Sequence, residues 1–209
     1  MMVPAKYHGQ FRGTLAIGLK TTPEKSDLPY ALEEVERVQK VMSGMSFQRL
    51  TGSDATIESV LRGLEGNSWV HFACHATQDV GDPNESGFFL HNGKLNLAMI
   101  TKQPLKHASI AYLSACETAM GDAELPGEAI HLAAGMLMAG FGTVIATMWA
   151  MKDEHGPVVA ERVYAELLVD GVPDSRQAAA ALHSAVAYLR DRVGEDKYEE
   201  WAPFVHMGI

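Results

Sequence analysis

Short apolar runs alternate with longer segments of helical pattern along this chain of 209 residues. The runs with the composition of buried strands are residues 11–19, 47–50, 69–74, 109–113, 143–149 and 203–208. The segments with helical spacing or helical length are residues 30–42, 53–64, 126–139, 153–168 and 175–192. Strands that alternate with helices of ten or more residues predict an α/β fold, in which a mainly parallel sheet is flanked by helices on both faces.

Local signals mark where several of these elements begin and turn. Pro29 is predicted to occupy the first helical position of the segment 30–42, and Ser53 is predicted to cap the next helix. Asn92 and Gly93 stand between apolar pairs, which predicts a β-hairpin over residues 88–97. No linker or break in composition divides the chain, so we expect one domain over residues 11–209 after an N-terminal extension of residues 1–10.

Composition and charge exclude several classes of protein. Lys and Arg number 17 against 26 Asp and Glu, which leaves a net charge of -9 and no basic patch for nucleic acid. The two cysteines and the lack of an apolar leader favour a reducing, cytoplasmic setting over a secreted disulfide scaffold. Residues 132–151 carry no formal charge, but three glycines interrupt them, which favours a buried helix and strand over a membrane span.

The candidate chemistry lies where two buried strands end. His75 follows one strand, and Cys116 follows another. Neighbouring strands lie about 5 Å apart, so the two side chains are expected to meet at one edge of the sheet. Successive strand residues point to opposite faces, so a His75 that faces the cleft leaves Cys74 in the helix layer. Cys116 is then the predicted nucleophile and His75 its base, although a buried cysteine is most often inert packing.

Two other arrangements of these residues have to be weighed, a metal site and a disulfide. His71, Cys74, His75 and Cys116 are metal-ligand types, but His71 and His75 lie four residues apart on a strand, about 13 Å, which is too far for one zinc ion. No Cys-x-x-Cys pair or nucleotide-binding glycine motif occurs, so no metal or cofactor is predicted. A disulfide between Cys74 and Cys116 is geometrically conceivable.

Six segments of the chain closely resemble the CHAT domain, which belongs to the caspase-like cysteine peptidases, the group that includes separase. In chain order they read VHFACH (70–75), SGFFL (86–90), LSACETA (113–119), AIHLAAG (129–135), GFGTVIATMW (140–149) and WAPFV (201–205). The resemblance runs from about residue 11 to the end. It implies a caspase-like sheet with a β-hairpin insertion.

The resemblance also implies a Cys–His dyad, with His75 matching the family histidine and Cys116 the nucleophile. The backbone N–H groups of Cys116 and Ala76 would hold the oxyanion, a contribution of a few kcal/mol in such sites. The family usually has glycine after the histidine, where this chain has Ala76. If that position required a positive φ, alanine would cost about 1 kcal/mol.

The resemblance extends to substrate preference. Asp153 resembles the position at which separase-like relatives carry an acidic residue in the P1 pocket, which would favour Arg or Lys. Asp153 would alternatively cap the helix that follows it. Asp79, Asp82 or Glu117, which lie near the dyad in the sequence, would be able to orient His75, although a caspase-like dyad needs no third side chain.

These observations together predict a cysteine endopeptidase that needs no cofactor and acts on a protein or peptide substrate. Family members usually carry TPR or sensor modules, so we expect latency until a sensor-type regulator or partner activates the enzyme. The alternative functions are a catalytically inactive CHAT module for regulation or protein interaction, for which Ala76 is the motive, and a metal-binding domain. Neither nucleic acid nor membrane is an expected partner.

Overall fold

Six strands form the central sheet of the computed structural model, which describes residues 10–79, 81–114, 129–149 and 151–208. In chain order these strands are β1 (Thr14–Gly18), β2 (Phe47–Thr51), β3 (Trp69–Ala73), β7 (Ile110–Leu113), β8 (Thr143–Thr147) and β11 (Phe204–Gly208). Their spatial order is β2-β1-β3-β7-β8-β11, and all pairs are parallel except the edge pair of β8 and β11. The predicted α/β architecture with a mainly parallel sheet is confirmed.

The remaining strands form two small antiparallel sheets. They are β4 (Ala76–Thr77), β5 (Gly87–Leu90) and β6 (Gly93–Asn96) in one sheet, and β9 (Leu168–Val169) and β10 (Val172–Pro173) in the other. The predicted hairpin is the β5–β6 pair, in which Leu90 lies opposite Gly93. Gly93 has a φ of 143°, a backbone conformation that favours glycine. The two loop residues are His91 and Asn92, and neither has a positive φ. The hairpin therefore lies where the sequence predicts it, but its turn is not the Asn-Gly type on which the prediction was based.

Helices cover both faces of the central sheet. They are α1 (Ala31–Val41), α2 (Ile57–Gly66), α3 (Leu97–Thr101), α4 (Ala129–Met138), α5 (Gly156–Glu166), α6 (Ala178–Val193) and α7 (Tyr198–Trp201). We call the side covered by α2, α4 and the β4–β6 sheet the apolar face, because Val70, Phe72 and Cys74 of the β3 strand and its end pack there in one hydrophobic cluster. We call the side covered by α1, α5 and α6 the ionisable face, since the buried His71 lies there with Tyr112 and Tyr164.

Two predicted helix starts are wrong by a few residues. The N-cap of α1 is Tyr30, so Pro29 precedes the helix instead of occupying its first position. Ser53 lies in a separate 3-10 turn, and α2 is capped by Thr56, whose Oγ1 accepts a hydrogen bond from the N–H of Ser59 at 3.2 Å. The Thr56 hydroxyl satisfies a backbone donor that the helix leaves without an internal partner.

The uncharged stretch of residues 132–151 divides as its glycines indicate. It supplies most of α4 and the whole of β8, and Gly140 between them has a φ of 114°. Across the described residues, none of the helices has both the length and the apolar character needed to cross a bilayer. The first three residues of the predicted helix 126–139 lie outside the described residues, and the boundary at residue 10 stays a prediction.

Candidate active site

His75 lies just beyond the end of β3, and its side chain is buried with 1% of the residue exposed. Its Nε2 lies 2.7 Å from the carbonyl oxygen of Ser26, in the connection between β1 and α1. A carbonyl oxygen only accepts hydrogen bonds, so Nε2 must carry a proton. In a neutral ring Nδ1 is therefore the nitrogen that is able to accept a proton.

The acidic side chains near His75 in the sequence serve the local turn. The Oδ1 atom of Asp79 accepts hydrogen bonds from the N–H groups of Gly81 and Asp82, each at 2.9 Å. The Oδ1 atom of Asp82 accepts a hydrogen bond from the N–H of Asn84 at 3.0 Å. One contact of the His75 ring is with the main-chain carbonyl of Ser26, which carries no sequence signal. Glu117 lies outside the described residues.

Ala76 follows His75 as the first residue of β4 and lies opposite Phe88 of β5. The N–H of Phe89 donates to the carbonyl of His75 at 2.8 Å. That bond makes Ala76 and Phe88 a pair without mutual hydrogen bonds, so the N–H of Ala76 points away from β5. Among the described residues only Glu24 and Asp170 combine a side chain with a positive φ, so the strain considered for Ala76 does not arise.

Asp153 lies in the 3-10 turn Asp153–His155 between β8 and α5. Its Oδ2 accepts a hydrogen bond from the N–H of Tyr30 at 2.9 Å. The carboxylate therefore caps the start of α1 and makes no capping bond to α5, so the idea that it caps its own helix is wrong. The pKa of Asp153 is raised, mainly by burial and also by the nearby Glu34 carboxylate. The hydrogen bond from Tyr30 and the proximity of His75 act in the opposite direction and lower this pKa. Asp153 thus lies within electrostatic range of His75.

Cys74 and Cys116 differ in what the structure records. Cys74 is a free thiol, fully buried in the cluster of the apolar face, and burial raises the pKa of its thiol far above the ordinary value. A thiol with that pKa is not a nucleophile near neutral pH. Cys116 lies outside the described residues. The chain reaches it from Ser114, whose N–H donates to the carbonyl of Phe72 at 2.9 Å and so extends the pairing of β3 and β7.

A buried polar cluster behind the strand ends was missed by the sequence reasoning. Glu34 of α1 is 2% exposed, and its Oε2 accepts a hydrogen bond from the Ser114 hydroxyl at 3.0 Å. Its Oε1 lies 3.0 Å from Nε2 of His71. A Cβ atom at position 156 would collide with the same carboxylate, which explains the glycine there. The sequence does contain one signal for this cluster, because Glu34 is a charged residue on the inner, apolar stripe of the amphipathic helix α1.

The residue types considered for a metal site do not converge in the described part of the chain. No group of three or more His, Cys, Asp or Glu side chains there is placed to hold a metal ion. His71 contacts Glu34 and stacks on Tyr112, with ring centroids 4.7 Å apart. Cys74 points to the other face of the sheet.

Two solved structures of cysteine proteinase domains have a fold similar to that of this chain. The complex of the pro- and mature domains of RgpB from Porphyromonas gingivalis matches with a TM-score of 0.65 and 12% identity, over 98% of this chain and 48% of that chain. The Arg-specific cysteine proteinase gingipain R matches with a TM-score of 0.62 and 10% identity, over 98% and 47%. The chain therefore spans about half the length of these structures, and the likeness concerns the fold.

The family of the chain follows from its sequence. The family model of the CHAT domain matches residues 4–209, and the chain belongs to this family. No curated protein matches it. The predicted family and the caspase-like fold are both confirmed.

Proposed function

We propose that the chain is a cysteine endopeptidase in which Cys116 is the nucleophile and His75 the general base and acid. The observation that carries the proposal is the placement of His75 at the end of β3, beside β7, with its Nε2 bonded to the Ser26 carbonyl. That bond fixes the ring orientation and requires the proton of a neutral ring to be on Nε2, which makes Nδ1 the nitrogen that would accept the thiol proton. The chain belongs to the CHAT family and has a fold similar to that of a cysteine proteinase, and both findings support the proposal.

The proposed reaction uses only groups of this chain and water. His75 Nδ1 accepts the proton of the Cys116 thiol, and the thiolate attacks the scissile carbonyl carbon. The N–H groups of Ala76 and Cys116 stabilise the oxyanion, and the direction of the Ala76 N–H, away from β5, supports this role. His75 returns the proton to the leaving amine as the C–N bond breaks. Water then releases the acyl group from sulfur.

The proposed substrate preference is Arg or Lys at P1, and Asp153 would provide the charge. Its carboxylate is half-buried and near His75, and one oxygen is held by the Tyr30 N–H. The second oxygen would accept a hydrogen bond from a cationic P1 side chain. A partly desolvated carboxylate discriminates strongly between a cationic and a neutral partner. One solved structure of similar fold is that of an Arg-specific cysteine proteinase, which is consistent with this choice.

The test is a set of fluorogenic peptides that differ only at P1, where they carry Arg, Lys, Leu or Asp. Each peptide is assayed with the wild type and with Cys116→Ala, in plain buffer and in high sulfate, which favours compact ordered states. We expect cleavage after Arg and Lys by the wild type and none by Cys116→Ala. Asp153→Asn should lower kcat/KM for the Arg peptide by about 100-fold and leave the Leu peptide unchanged.

A peptide electrophile with Arg at P1 gives a second readout, because it should add to Cys116 and shift the protein mass. The proposed latency predicts that a sensor-type regulator raises both the labelling and the cleavage rate. An intact protein that neither cleaves nor becomes labelled under either condition would instead be an inactive CHAT module. Labelling that persists in Cys116→Ala would contradict the assignment of the nucleophile.

A further inference from the structure

The segment that carries Asp153 is bonded to the C-terminal part of the chain at four places. The N–H of Met148 donates to the carbonyl of Pro203 at 2.8 Å, and Nε1 of Trp149 donates to the carbonyl of Glu199 at 3.1 Å. Two further contacts involve the side chain of Glu200 in α7. This segment connects β8 to α5, and its described residues form one 3-10 turn and no other regular structure, so these bonds contribute to its position.

The Glu200 carboxylate contacts the residues on both sides of Asp153. Its Oε1 accepts from Nζ of Lys152 at 2.7 Å, and its Oε2 lies 2.7 Å from Nε2 of His155. His155 and Glu200 are each 8% exposed, whereas the Lys152 side chain is 55% exposed. Both oxygens of the buried Glu200 carboxylate are thus occupied, one by Lys152, which precedes Asp153, and the other by His155, which follows it by two residues.

The α7 helix that carries Glu200 is itself fixed to the end of α6. Nε1 of Trp201 donates to the carbonyl of Glu195 at 3.2 Å, and the Arg190 guanidinium lies 5.9 Å from the Trp201 ring centroid. These contacts hold the α7 backbone, and with it Glu200, in place against the end of α6. Hydrogen bonds to charged groups are stronger than those between neutral groups, so two of them favour one arrangement of a short connection.

We propose that Glu200 is the positioning residue for Asp153, and that it holds the segment in the arrangement that presents the Asp153 carboxylate to a cationic P1 side chain. The proposal rests on the proposed function for its consequence and on the contacts of Glu200 for its geometry. Glu200 would act through Lys152 and His155 and would not touch the substrate. The same two hydrogen bonds lower the pKa of Glu200 to about 2, so its carboxylate stays ionised and able to accept at any physiological pH.

The test compares Glu200→Gln with Glu199→Gln. The two residues are neighbours on α7, but Glu199 contributes its main-chain carbonyl to these contacts, which the substitution keeps. Backbone hydrogen exchange is followed by mass spectrometry in the peptide that spans residues 151–155. We expect exchange there to be at least about tenfold faster in Glu200→Gln and unchanged in Glu199→Gln, with β3 protected equally in both.

Kinetics with the Arg peptide provide the functional readout. In Glu200→Gln we expect KM to rise about tenfold, kcat to stay within about twofold, and the preference for Arg over Leu to fall by a similar factor. A purely structural role would lower the amount of folded enzyme, so it would reduce the apparent kcat and leave KM and selectivity unchanged. Glu199→Gln should retain the wild-type values.

Lys152→Gln covers the outcome in which Glu200→Gln does not fold. The Lys152 side chain is mostly exposed, so this variant should fold while losing one of the two contacts, with smaller changes in the same direction. Unchanged exchange at residues 151–155 overturns the proposal whether or not the protein is a peptidase. Faster exchange with unchanged KM and selectivity also overturns it, because the segment would then not set the P1 contact. A wild type that cleaves nothing refutes the proposed function instead, and the exchange result then decides the geometry alone.

Discussion

Residues of the same strand serve opposite roles on the two faces of the central sheet. From β3 and its end, Val70, Phe72 and Cys74 pack into the apolar face, while His71 and His75 lie on the ionisable face. Burial on the apolar face raises the pKa of the Cys74 thiol and makes it inert. Burial on the ionisable face is accompanied by polar partners for each histidine. The side of the sheet on which a residue lies therefore decides whether a reactive residue type can do chemistry.

The largest expected difference concerns the two cysteines. Cys116→Ala should lower kcat for the Arg peptide at least about 1,000-fold, because it removes the proposed nucleophile. Cys74→Ala should keep activity within about twofold and lower the free energy of unfolding by about 1 kcal/mol, since it removes a small packed group. Initial rates and urea denaturation measure the two effects. If Cys116→Ala stayed active and Cys74→Ala were inactive, the roles assigned to the two cysteines, nucleophile and packing residue, would be the wrong way round.

The second difference compares two adjacent glutamates of α1. Glu34→Ala should lower the free energy of unfolding by about 1–3 kcal/mol, because it removes the acceptor of the Ser114 hydroxyl and the carboxylate beside buried His71. Glu33→Ala should cost at most about 1 kcal/mol, since Glu33 pairs with Arg37 at the surface at 2.7 Å. Urea denaturation at one pH gives both values. Equal losses would show that the buried cluster adds nothing beyond a surface pair.

The smallest expected effect is a dependence of stability on pH at Asp153. The folded state raises the pKa of Asp153 above its ordinary value of 3.8, so the ionised form weakens the folded state. The penalty is absent below that value and develops as pH rises through the pKa of the folded protein. Asp153→Asn should therefore melt at a higher temperature than the wild type at pH 7 and at the same temperature near pH 3. A variant less stable than the wild type at pH 7 would show that the carboxylate stabilises the fold.

The sequence was sufficient to predict features that depend on local spacing. The alternation of residues along β3 predicted Cys74 and His75 on opposite faces, and the structure places Cys74 in the apolar face. The Asn92–Gly93 dipeptide predicted the β5–β6 hairpin. Both depend on backbone geometry within a few residues, which the sequence specifies directly.

Features that depend on distant parts of the chain could not be predicted in this way. The Ser26 carbonyl lies 49 residues from His75 in the sequence, and every residue type has such a carbonyl. The Tyr30 N–H lies 123 residues from Asp153, so the local rule for helix capping assigned that carboxylate to the wrong helix. Glu34 interrupts the apolar stripe of α1, and its partners become evident only when β3 and β7 are adjacent.

The contact between His75 and Ser26 has a consequence for how the protein tolerates change. The connection between β1 and α1 supplies the Ser26 carbonyl and the Tyr30 N–H, which are both main-chain atoms. Replacing either side chain leaves these atoms in place, so a scan of single substitutions would score the connection as permissive. Inserting or deleting one residue there would move both atoms at once. The length of this connection, more than its composition, is therefore what the site depends on.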